Sequence, residues 1–144
     1  GELVTRVADR VGRRTGREID VDAGTDVGVT GRPGAIERAV ANLLDNAAKF
    51  SDEGSPIEVR VRGGTVDVLD RGIGIAPADL PRVFDRFYRA VDARSRTGSG
   101  LGLAIVRAVA EEHDGRVAAV ARDGGGTIVT LVLPTDEERA TLRR

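Results

Sequence analysis

The run Asn42-Leu43-Leu44-Asp45-Asn46-Ala47-Ala48-Lys49-Phe50-Ser51 decides how the rest of this chain is read. It belongs to a longer segment, Pro33–Phe50, that predicts one helix, with Pro33 in a first turn where a missing N–H costs nothing. At about 100° per residue, Ile36, Val40, Leu43, Leu44 and Ala47 share one arc of roughly 100°, and Asn42, Asn46 and Lys49 share a separate arc of roughly 60° beside it. Asn is a poor helix former because its side chain competes for backbone hydrogen bonds, so two of them one turn apart ask for a compensating role. An amide oxygen is a good ligand for a hard cation, and Lys49, a turn further on, is placed for a phosphate. A polar helix edge bonded to nearby backbone satisfies the same pattern.

Working outward, Glu2–Thr15 places Leu3, Val7 and Val11 at helical spacing and predicts an amphipathic helix ending near Gly16. Glu18–Asp22 and Val27–Thr30 read as short strands around a turn. Downstream, Ile57–Arg62 and Thr65–Leu69 flank Gly63–Gly64 as a hairpin, and Arg116–Ala121 and Thr127–Leu133 flank Asp123–Gly126 as another. Between the hairpins, Ala78–Phe84 predicts a short helical stretch and Gly100–His113 a full helix, its stripe formed by Leu101, Ile105, Ala108 and Val109. Three main helices with five or six hairpin-linked strands predict an α+β fold, a two-layer sandwich with the helices on one face of a mixed sheet. The roughly thirty residues from Asp70 to Gly100 make a long connection, of the kind that often serves as a functional lid. The chain is expected to be one domain spanning 1–144, cut from a longer protein.

The bulk composition narrows the chemistry. With 144 residues, 40% apolar and 31% charged, the chain reads as a single globular domain. It has no Cys and one His, which excludes disulfide frameworks, thiolate sites and multi-His metal sites. Any metal must be a hard ion held by oxygen. Twenty-two basic residues against twenty-three acidic ones, with 3% aromatics, leave neither a basic footprint nor a stacking platform, so no nucleic-acid partner is expected. No apolar run approaches the length of a membrane span, so no membrane contact by this segment is expected either.

Two glycine-rich turns follow the helix at 33–50. Asp70-Arg71-Gly72-Ile73-Gly74-Ile75 leaves an apolar strand. Its alternate glycines allow close backbone approach to a ligand, and its carboxylate can accept from an exocyclic amine. A plain turn has the same signature. Gly98-Ser99-Gly100-Leu101-Gly102-Leu103 runs into a helix N-terminus, where free N–H groups and the helix dipole favour phosphate. The dinucleotide fingerprint fails, because Leu103 stands where Gly is needed; the Walker loop fails, because the chain has no Gly-Lys pair. Phe84-Asp85-Arg86-Phe87-Tyr88-Arg89 reads as a hydrophobic plug for the long loop, with Arg86 and Arg89 able to reach a phosphate when it closes.

Taken in order, Asn-x-x-x-Asn, DxGxG, FxxFYR, GxGxGL and Gly126-Thr127 before a final strand resemble the catalytic ATP-binding domain of sensor histidine kinases. Asn42–Ser51 is similar to that family's N box, Asp70–Gly74 to its G1 box, Phe84–Arg89 to its F box and Gly98–Leu103 to its G2 box. The resemblance runs from Leu3 through Pro134 and implies the Bergerat ATP-binding fold of the GHKL group, with a flexible ATP lid at roughly 85–99. It implies ATP and Mg²⁺ as cofactors. Asn46 would bind Mg²⁺; Asn42 and Lys49 would address the phosphates and, with Arg89, act in transfer. Phe50 would pack by the adenine and Asp70 accept from its amino group, with Gly72, Gly74 and Ile75 shaping the pocket. Gly98, Ser99, Gly100, Leu101, Gly102 and Leu103 would cradle phosphate, and Thr127 would support the adenine end. Thr97 departs from the family pattern, where Gly is common, and would shorten the lid's hinge.

The reaction so implied sends the γ-phosphoryl group to a His on a dimerisation and phosphoacceptor domain, then to an Asp of a response-regulator receiver domain. ATPases of the same fold (gyrase, the ninety-kilodalton heat-shock chaperones, mismatch-repair proteins) carry Glu at the position of Asn42. A carboxylate there activates water as general base and an amide does not. Asn42 therefore favours phosphoryl transfer over hydrolysis, with an ATP-binding pseudokinase as a further alternative. His113 sits in a helix end, where His commonly caps, and lacks the family's acceptor sequence. The chain is expected to bind ATP without phosphorylating itself, as the cytoplasmic part of a membrane sensor. Its Arg- and Ala-rich composition points to an actinobacterial source.

Overall fold

A computed structural model describes residues 1–25, 27–86 and 102–142. The element order is α1 (Glu2–Thr15), β1 (Ile19–Ala23), α2 (Pro33–Phe50), β2 (Ile57–Arg62), β3 (Thr65–Asp70), a 3₁₀ turn at Leu80–Arg82, α3 (Gly102–Glu112), β4 (Arg116–Ala121), β5 (Thr127–Val132) and α4 (Asp136–Leu142). The five strands form one mixed sheet in the order β1-β2-β3-β5-β4. β1 and β2 pair in parallel, because α2 crosses between them, and every other neighbouring pair is antiparallel.

Strand alternation decides which face is covered. In β2, Ile57, Val59 and Val61 are buried while Arg60 and Arg62 are exposed; β5 buries Val129 and Leu131 in the same rhythm. The buried face receives the helices. α2 lies between α1 and α3, and α2 and α3 both touch the sheet. Val40, Leu43 and Leu44 of α2 are almost completely buried, as the predicted apolar arc requires. One continuous core joins them to Val7 and Val11 of α1, Val59 and Val68 of the sheet, and Val106 of α3.

Four features depart from the expectations. Val27–Thr30 is not a strand: Val27 is 45% exposed and the segment adds no edge to the sheet. Its apolar residues are too few to repay a ladder there. The stripe of α3 is turned relative to the predicted one, with Val106, Val109 and Ala110 buried and Ala108 exposed. Ala contributes little apolar area, so its position in the periodicity carried almost no signal. The fourth helix, α4, was not anticipated, and none of its residues is buried. It starts with a reciprocal cap in which Glu138 N–H donates to Thr135 Oγ1 and Thr135 N–H donates to the Glu138 carboxylate, both at 3.1 Å. Ala78–Phe84 reduces to the 3₁₀ turn at Leu80–Arg82.

Candidate nucleotide-binding site

The C-terminal half of α2 forms one wall of the site. Its buried stripe fixes the helix's rotation, and this leaves Asn42, Asn46, Lys49 and Phe50 half-buried along an adjoining edge. Asp45, in the middle of the same run, faces away and pairs with Arg14 of α1. The start of α3 meets this edge: a methyl group placed on Gly102 would sit 3.4 Å from Asn42 Oδ1. Gly102, the first residue of α3, therefore lies directly beside the first asparagine. Leu103 is half-buried and packs against the core. Arg89, Gly98, Ser99, Gly100 and Leu101, with Phe87 and Tyr88, lie outside the described residues.

The other wall is the end of β3. Asp70 is 4% exposed and pairs across the sheet with Thr127, which is equally buried. Its carboxylate accepts from the Gly72 N–H at 3.0 Å and from the Thr127 backbone N–H. Burial pushes the Asp70 carboxyl above the usual range; those two hydrogen bonds and the charges of Arg122 and Arg17 only partly offset it. Arg122, its side chain 8% exposed, donates to the Asp70 carbonyl at 3.3 Å and to Glu58 at 2.9 Å, and that contact holds Glu58 below the usual carboxylate range.

Backbone contact ties the two walls together. Ser51 forms a β-bridge with Gly72, and Ile73 N–H donates to the Phe50 carbonyl at 3.3 Å. A side chain at Gly72 would collide with that carbonyl, so only glycine permits the approach. Gly126 has the same role on the far side: φ is +103°, and a Cβ there would collide with the Asp70 carbonyl. Gly74 and Ile75 continue the loop, half-buried, with Ile75 packed against the core. Phe84 is 7% exposed within that core, and Asp85 is paired with Arg107 of α3 at 3.1 Å. The first residues of FxxFYR thus anchor the connection, as the plug reading expects.

The site presents a buried carboxylate acceptor at one end and two amides and a lysine at the other, with a glycine-led helix start opposite. Such a set suits a ligand with an amine-bearing ring and an anionic tail. The chain matches the family described as "Histidine kinase-, DNA gyrase B-, and HSP90-like ATPase" over residues 31–137. It belongs to that family. Sensor-like histidine kinase SenX3 of Mycobacterium tuberculosis is 45% identical over 134 residues, which cover 85% of this chain and 33% of that protein. Among solved structures, mycobacterial sensor histidine kinase MprB superposes with a TM-score of 0.84 at 40% identity, covering 93% of this chain and 94% of that one. Full-length ShkA in complex with AMPPNP superposes at 0.75 with 26% identity, covering 93% of this chain and 29% of that one. The chain spans about a third of the length of SenX3. These neighbours share the mixed-sheet fold predicted from the sequence, and the mycobacterial ones suit its composition.

His113 serves the structure. The residue is 5% exposed; its Nδ1–H donates to the Val109 carbonyl at 2.7 Å and Nε2 accepts from the Arg32 N–H at 3.0 Å. It caps α3, as expected, and also fastens that helix end to the start of α2. A cleft of about 470 Å³ opens beside it between Thr30, Arg32, Asp136 and Arg139, remote from Asp70 in the fold. Its charges are engaged with one another through Arg32–Glu112 and Arg139–Asp114.

Two residues of the site had no sequence signal. Arg17 and Arg122 are isolated basic residues in turns, and only tertiary structure brings both near Asp70.

Proposed function

We propose that this chain is the catalytic ATP-binding domain of a sensor histidine kinase. It holds Mg²⁺–ATP and transfers the γ-phosphoryl group to a His on a separate helical dimerisation domain, for relay to an Asp of a response regulator. The observation that carries this reading is Asn42, which stands against Gly102 at the start of α3 with an amide where a hydrolase needs a carboxylate. The AMPPNP bound to ShkA supports a nucleotide at this fold's site. The sensor kinases among the relatives support placement on the cytoplasmic side of a membrane protein. Among the described residues no helix is long and apolar enough to cross a membrane.

Asp70 would accept from the adenine amino group, with Thr127 and Gly72 orienting its carboxylate. Phe50, Gly74 and Ile75 would border the base. Asn42 and Lys49 would hold the phosphates, and the N-terminus of α3 would face their negative charge. Asn46 fits a hard cation through its amide oxygen, and the ion would neutralise charge on the phosphates. In the reaction the bond from the γ-phosphorus to its bridging oxygen breaks, ADP leaves, and a P–N bond forms to the acceptor imidazole. The protein's part is to position ATP and to keep water from competing, which is where the absence of a general base at position 42 acts.

The test mixes the chain with Mg²⁺ and γ-labelled ATP, with and without the His-bearing helical domain of its own full-length protein. Acid-labile, base-stable label on that domain supports the kinase. Binding without transfer supports a pseudokinase, and free phosphate alone supports an ATPase.

A further inference from the structure

Arg17 lies in the turn between α1 and β1, outside every motif of the site, yet its guanidinium reaches the end of α2. Nη1 donates to the Ala48 carbonyl at 2.8 Å. Nη2 donates to Ser51 Oγ at 2.6 Å, to the Asp52 carbonyl at 2.7 Å and to the Ser55 carbonyl at 3.0 Å. The Ala48 carbonyl is one of those a helix leaves unsatisfied at its C-terminus, and a cation there also meets the negative end of the helix dipole. Arg17 is thus a capping group for α2 supplied from a distant part of the chain. The arrangement leaves its Nε buried with no hydrogen-bond partner among the described residues, which is itself a cost.

Two of the four residues it grips, Ala48 on α2 and Ser51 just beyond it, bracket the site. Ala48 precedes Lys49 and Phe50, and Ser51 makes the β-bridge to Gly72, whose N–H holds the Asp70 carboxylate. We propose that Arg17 is a positioning residue of the nucleotide site: it fixes the last turn of α2 against the Asp70–Gly74 loop and so sets the span between the phosphate end and the adenine end. The planar fork is essential to this, because it reaches two directions at once while a lysine ammonium reaches from a single point. The proposal rests on the reading of Asp70 as the adenine acceptor.

The experiment measures Kd for Mg–ATP and Mg–inosine triphosphate on the folded chain, with melting temperatures recorded for every variant. Inosine carries a carbonyl where adenine carries the amine, so the ratio of the two affinities reads the alignment of Asp70. Arg17→Ala is expected to weaken ATP about tenfold and to lower the ATP preference, with Arg17→Lys moving the same way. Arg139→Ala, which removes a guanidinium cluster on the His113 carbonyl and Asp114, is expected to lose melting temperature while keeping both affinities. Arg17 variants that melt lower but keep the wild-type Kd and preference overturn the proposal, since a purely structural arginine behaves that way. If Arg17→Ala does not fold, Arg17→Lys and Ser51→Ala carry the same test. Asp70→Asn separates the two layers. If it loses the preference and the Arg17 variants do not, the positioning role alone fails; if it keeps the preference, the reading of Asp70 fails and the proposal falls with it.

Discussion

Asp70 is buried at the end of β3, held by two backbone N–H groups and flanked by two arginines, yet its carboxyl is still pushed upward by burial. A carboxyl with a raised folded pKa contributes stability below its unfolded value and loses it as pH rises through the folded value. Asp70→Asn has no such loss. The stability of the variant relative to the parent should therefore grow as pH rises from below the ordinary Asp range through the raised value, then level off. Denaturant titrations across that window measure it, and a flat difference contradicts it. The same substitution should weaken ATP binding, a trade between stability and function that is common at sites. Asn46→Ala, on the solvent side of α2's buried stripe, should leave the far-UV spectrum unchanged and weaken Mg²⁺-dependent nucleotide binding; calorimetry showing unchanged affinity contradicts the metal assignment.

At the scale of elements, α2 was legible because two independent patterns agreed on its rotation. Five apolar residues fixed its core face, and two asparagines and a lysine fixed the edge left beside it. Leu44→Ala should cost about 2–5 kcal/mol, because the side chain is fully buried and the cavity cannot be reached by water. The hairpins were legible through their glycines and alternating strands. Val27–Thr30 was misread because four residues with two valines imitate a strand without any partner to pair with. The close approach of Gly72 to Phe50 was not legible beyond a permissive glycine, since the obstructing carbonyl comes from another element. Gly72→Ala should separate the two walls, lowering melting temperature and ATP affinity together, and a variant that binds ATP normally contradicts the contact's role.

For the whole molecule, the order of the motifs carried more than any single one, because a shared order implies a shared arrangement around one sheet. That order predicts the α2 edge and the Asp70 loop as the two walls of one site. Arg17 and Arg122 were beyond reach, as a lone arginine in a turn has no periodicity and no motif. The molecule also has a cleft beside His113, separate from the proposed nucleotide site between the α2 edge and the Asp70 loop. Amide chemical shifts during a titration with Mg–ATP test this most directly. Saturable shifts at Asn46, Lys49, Gly72 and Thr127, with Arg32, His113 and Arg139 unmoved, are the predicted result; saturable shifts centred on His113, or none at the α2 edge and the Asp70 loop, would contradict it.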